Sequence, residues 1–132
     1  MKKEILSIEG MPKSTLPFSH VVKAGHTLYL TSQLSCNLIT GELLEGSMQD
    51  QTRNAMENIK YLLENADSSM ENIVDVTIYM RNLDDFAAMN HIYREYFKPG
   101  EEPARVVVKA ESPLENIDIE IKVIALVNDP IV

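Results

Sequence analysis

A chain of 132 residues that is 45% hydrophobic and 24% charged has the make-up of an ordinary globular domain, not of a disordered or membrane chain. At this length roughly two-thirds of the unfolded surface can be buried, so one domain over residues 1–132 needs no disulfide or structural metal; Cys36, the single cysteine, has no internal partner. The net charge of −8 opposes phosphate backbones and anionic lipid alike, and no local basic patch reverses it.

The opening Met1-Lys2-Lys3 precedes an apolar stretch around Ile5 and Leu6 that is too short for a signal-peptide core. Nowhere do roughly 18 apolar residues run uninterrupted, as a bilayer span requires, so a cytoplasmic protein without membrane contact is expected. Val21-Val22 and Thr27-Leu28-Tyr29-Leu30-Thr31 are β-rich runs around an Ala24-Gly25-His26 turn, which predicts a hairpin. A second turn falls at 39–42. Ser47 with Asp50 three residues on forms a capping signal, after which Thr52, Ala55, Met56, Ile59, Leu62 and Leu63 recur at helical spacing; this predicts a helix over 48–65.

Ser68 and Glu71 have the spacing to cap one short turn, and then Val74, Val76, Ile78 and Met80 alternate with polar neighbours as a strand does. Asp84 or Asn82 caps a second helix whose apolar face carries Phe86, Met89, Tyr93 and Phe97 and which Lys98-Pro99-Gly100 ends. Two more strands follow at 104–110 and 117–127, separated by Ser112-Pro113. The order is β-β-β-α-β-α-β-β, an α+β domain with both helices on one sheet face. In the last strand Ile117, Ile119, Ile121 and Val123 form one apolar face, yet Ile124 and Leu126 make the opposite face partly apolar as well. An open sheet wets its uncovered side, so either a neighbouring subunit covers this face or these are ordinary strand-end apolar residues.

Two charged residues stand in apolar strands. Arg105 follows Pro103-Ala104 and precedes three valines; burying its guanidinium requires an anionic partner, either a protein carboxylate such as Glu101, Glu111 or Glu120, or a ligand. Glu120 sits between Ile119 and Ile121 and is either a functional carboxylate or an alternation residue facing solvent. No nucleophile elbow surrounds any serine, His20, His26 and His91 read as surface or interface residues, and glycine-rich phosphate loops and zinc-type Cys/His spacings are absent.

The ordered set Pro17-Phe18-Ser19-His20, Gln33, Thr40-Gly41-Glu42, Gln51-Thr52, Glu57-Asn58, Asp85-Phe86 with Asn90 and Tyr93, Pro103-Ala104-Arg105 and Ile119-Glu120-Ile121 resembles the Rid family of reactive intermediate deaminases over about residues 10–127. The resemblance implies a chorismate-mutase-like α+β fold and a homotrimer whose sheets form a central barrel with clefts between subunits. It implies hydrolysis of small 2-imino acids, or their enamine tautomers, to 2-keto acids and ammonia, with no metal or organic cofactor. Carried over by position, Arg105 is the carboxylate clamp and Glu120 the residue that positions water. Phe18, Ser19, Thr31, Asn90 and Val107 line the cleft, Phe18 from the adjoining subunit.

Several positions depart from the family pattern. Phe18 stands where Tyr is common, Ser32 and Ser35 replace the Gly and Pro usual around Gln33, and Val107 stands where Cys is frequent. Glu111 takes the place of a small or basic residue, and Ser112-Pro113 arrives early. These departures leave the clamp intact and keep a second function open, in which the same cleft senses a 2-keto acid or amino acid without turnover. Some relatives are described as ribonucleases, but a trimer would carry −24, three times −8, which opposes RNA association.

Overall fold

Ala24 pairs with Thr27 across Gly25 and His26, closing the expected hairpin, and Gly25 takes a left-handed φ of 61° that a side chain would resist. The computed structural model describes residues 2–129. Its hairpin strands are β2 (Val21–Ala24) and β3 (Thr27–Leu30); β1 (Lys3–Ile5), a position the sequence reading assigned to no strand, pairs antiparallel with β2. Helix α1 (Met48–Glu64) starts where the capping signal puts it: Ser47 Oγ accepts a hydrogen bond from the Asp50 amide at 3.1 Å. All six apolar-spaced residues from Thr52 to Leu63 are buried.

Several details differ from the sequence reading. Ser68 caps nothing, because its buried hydroxyl donates to the Leu126 carbonyl at 2.6 Å; the short helical turn begins later, at Met70–Asn72. Strand β4 (Ile73–Met80) carries a register shift between Ile73 and Asp75, which buries Ile73 and turns Val74 out to solvent. The second helix is three pieces rather than one. Asn82 Oδ1 accepts from the Asp84 amide at 2.9 Å to start a 3-10 turn at Leu83–Asp85, α2 proper spans Phe86–Tyr93, and Arg94–Tyr96 tightens into another 3-10 turn.

Strands β5 (Ala104–Lys109) and β6 (Ile119–Leu126) complete a six-stranded sheet ordered β1-β2-β3-β6-β4-β5, in which β5 is an edge strand parallel to β4 and the other pairings are antiparallel. Burial follows the alternation in β6: Ile119, Ile121, Val123 and Ala125 point to the helices and join Leu28, Ile78 and Ile59 in the core. Ile117, read as part of this strand, is buried just before it. The opposite face is apolar beyond what β6 alone indicates, since Tyr29, Tyr79, Val106, Val108 and Leu126 are all exposed on strands β3 to β6. No helix among the described residues is long and apolar enough to cross a membrane.

Candidate functional site

Arg105 lies opposite Val76 in the parallel pairing of β5 with β4, and Val76 is buried, so Arg105 points to the helix side of the sheet and meets α2. Its Nη1 donates to Asn90 Oδ1 at 2.6 Å, and its Cζ lies 4.8 Å from the Tyr93 ring centroid and 5.6 Å from that of Phe86. Phe86, Asn90 and Tyr93 are four and three residues apart along α2 and therefore share one stripe of it. The ion pairs among the described residues are Arg53–Glu95, Arg81–Asp118 and Lys98–Glu71, and none includes Arg105. The alternative of a structural pair with Glu101, Glu111 or Glu120 is thus not formed.

Arg105, Asn90 and Tyr93 line a cavity of about 510 Å³ that also takes in Glu102 and Pro103. Tyr93 is buried and its hydroxyl has no hydrogen-bond partner among the described residues. Burial pushes its pKa up to about 12, with the Arg105 charge opposing and the Glu102 charge adding to the rise, so the phenol stays protonated. Val107 follows on the same face of β5, half-buried against the core.

Glu120 lies across from Tyr79 in the β4–β6 register, on the face away from the helices. It does not run out to bare solvent. Ser32 Oγ, just past β3, donates to Glu120 Oε1 at 2.9 Å, and Lys122 Nζ donates to the Leu30 carbonyl at 2.8 Å. Thr31, Ser32, Glu120, Lys122 and Glu111 share a cavity of about 380 Å³. Phe18 and Ser19 occupy the loop before β2 and line a third cavity, of about 480 Å³, with His20. The Phe18 and His20 rings pack edge-to-face at 5.3 Å, and burial lowers the His20 pKa.

Apart from Val107, which lines none of these three cavities, the predicted residues therefore fall into three sets within one chain: Arg105 with Asn90, Glu120 with Thr31, and Phe18 with Ser19. The sequence reading missed Ser32, taken as a mere departure, and took Phe86 and Tyr93 for core packing; the available signal was Asn90 on their own helical stripe. Chemically, a guanidinium that lines a cavity and forms no ion pair among the described residues can take up an anion, and a carboxylate pinned by a hydroxyl can orient a water. The described residues contain no group of three or more His, Cys, Asp and Glu that could hold a metal ion.

Comparison with known proteins adds the lineage. The sequence profile described as Endoribonuclease L-PSP matches residues 9–127. A RutC family protein of Pyrococcus horikoshii is 42% identical over 123 residues, covering 93% of this chain and 97% of its own. A 2-iminobutanoate/2-iminopropanoate deaminase of Dermatophagoides farinae is 33% identical over 125 residues, covering 95% of this chain and 97% of its own. Among solved structures, a protein of unknown function of the conserved Rid family from Yersinia pestis superposes with a TM-score of 0.87 at 32% identity, over 96% of this chain and 100% of that one.

Proposed function

This chain belongs to the endoribonuclease L-PSP family, the YjgF/Rid group, and on that premise we propose that it hydrolyses 2-imino acids and their enamine tautomers to 2-keto acids and ammonia. The observation that carries this reading is Arg105: an oriented guanidinium, bonded to Asn90, facing a cavity and paired with no carboxylate among the described residues. A planar fork of this kind suits a planar carboxylate, which it can take with two parallel charge-assisted bonds.

In the reaction, water adds to C2 of the imine, forming a C–O bond and passing its protons to nitrogen, and the C–N bond then breaks to leave ketone and ammonia. The step is addition and elimination of water and ammonia, so it calls on no metal or organic cofactor. Glu120, held by Ser32, is assigned to the water. Because Glu120 and Arg105 occupy separate cavities in one chain, the reading requires a second copy to bring Glu120, Thr31 and Phe18 to the Arg105 cavity of the first. The homotrimer implied by the family supplies that copy, and the exposed apolar sheet face supports it.

The other reading, a cleft that senses a small carboxylate without turnover, uses the same clamp. Imine generated in place from an amino acid by an amino acid oxidase distinguishes the two. Faster release of ammonia and 2-keto acid with the protein than without it supports the deaminase; binding of 2-keto acid with unchanged release supports the sensor.

A further inference from the structure

Phe86 and Tyr93 make poor sense as core residues alone. Phe86 is 39% exposed, and Tyr93 buries a hydroxyl that finds no partner among the described residues, a defect a leucine or phenylalanine would avoid. What the two positions share is an aromatic face beneath the Arg105 charge, at 5.6 and 4.8 Å. A guanidinium without a carboxylate partner swings on a long side chain, and a fork aimed at a planar ligand has to be held in one orientation. A protein carboxylate could hold it but would compete with the ligand's own. A π face attracts the cation without occupying its N–H groups.

We propose that Phe86 and Tyr93 are positioning residues for Arg105, which together with Asn90 Oδ1 hold the guanidinium so that its free N–H groups face the cavity, thereby setting affinity for the substrate carboxylate. This rests on the deaminase reading of that cavity and names what keeps its anion-binding group in place. Asn90 accepts one N–H of Nη1, and the guanidinium's other four donors bond no described residue, more than the two that a carboxylate takes. The spacing of 86, 90 and 93 lets one short helix deliver all three contacts from one stripe.

The test titrates 2-oxobutanoate by calorimetry and measures imine turnover on wild type, Arg105→Ala, Phe86→Leu, Tyr93→Leu and Tyr93→Phe, with thermal unfolding in parallel. Phe86→Leu is expected to weaken binding about threefold and Tyr93→Leu about tenfold, with KM raised by similar factors and kcat little changed. Tyr93→Phe, which keeps the face, recovers most of what Tyr93→Leu loses; general loosening of the core would not give that recovery. Phe86 is exposed enough for its variant to fold, so the test stands even if Tyr93→Leu unfolds. Folded leucine variants that bind like wild type, while Arg105→Ala does not bind, would overturn the positioning role and leave the deaminase reading intact. Loss on Tyr93→Phe equal to that on Tyr93→Leu would overturn it too, by assigning the effect to the hydroxyl. Failure of the wild type both to bind and to release ammonia would instead overturn the deaminase reading, and this inference with it.

Discussion

Arg105 and Glu120 stand on opposite faces of one sheet, on β5 and β6, with β4 between their strands. Val76 is level with Arg105 and Tyr79 with Glu120, so the two Cα atoms are three residues and two strand spacings apart, roughly 14 Å. If both act on one substrate, they come from different copies. Arg105→Ala and Glu120→Gln, each inactive alone, should then complement: co-refolded at equal amounts as a random trimer, they should regain about a quarter of wild-type turnover. No recovery from verified mixed trimers would remove Glu120 from the reaction.

Arg105 itself should separate affinity from stability. Charge-assisted bonds contribute about 1.5–3 kcal/mol each, so Arg105→Ala should lower kcat/KM by roughly a hundredfold or more. No carboxylate among the described residues is left stranded by the change, so Tm should move little. Arg105→Lys should not restore activity, because a point charge lacks the fork. A large fall in Tm with normal 2-keto acid binding in the folded fraction would make Arg105 structural.

Phe18 tests a missing hydroxyl. It is 44% exposed and packs edge-to-face on His20, so Phe18→Tyr adds a polar group without disturbing the core. Turnover should rise severalfold, on the scale of one hydrogen bond of about 1 kcal/mol, with 2-keto acid binding nearly unchanged. Equal rates would show the position to be indifferent to the hydroxyl.

Assembly is tested on the sheet face. Sedimentation of wild type should report three chain masses at micromolar concentration. Val106 is 52% exposed in the isolated chain, so Val106→Asp is compatible with the fold but places a charge on the apolar face. A folded, inactive monomer is the expected product, and a fully active monomer of either protein would discard the intersubunit cleft.

His20 predicts a pH dependence. Burial lowers its folded pKa below the ordinary 6.5, so on acidification the unfolded chain takes up the proton first. Its contribution to stability is therefore complete above pH 6.5 and is lost as the pH falls through the lowered value. Denaturation midpoints at pH 7.5 and 5.5 should show a drop that His20→Gln reduces; an identical drop in the variant would assign it to other groups.

The elements were legible in the sequence because each is set by local chemistry. The Ser47 cap, the helical spacing from Thr52 to Leu63, the Gly25 turn and the alternation in β6 are all settled within a few residues of chain, and the structure keeps them. The boundaries that shifted are those a distant partner decides: Ser68 answers to Leu126 rather than to its own turn, and Val74 is turned out by a bulge in the pairing of β4 with β6. Arg105 and Glu120 were recognisable as charges out of place in apolar strands, but their partners were not, since Asn90 and Ser32 lie 15 and 88 residues away in sequence. Strand order made β5 an edge strand, and the pairing register put Arg105 on its helix side, over two aromatic rings, and Glu120 on the far side of the same sheet. Side-chain periodicity says which residues share a face; which face looks at which neighbour is a property of strand pairing, and that is decided only when the chain has folded.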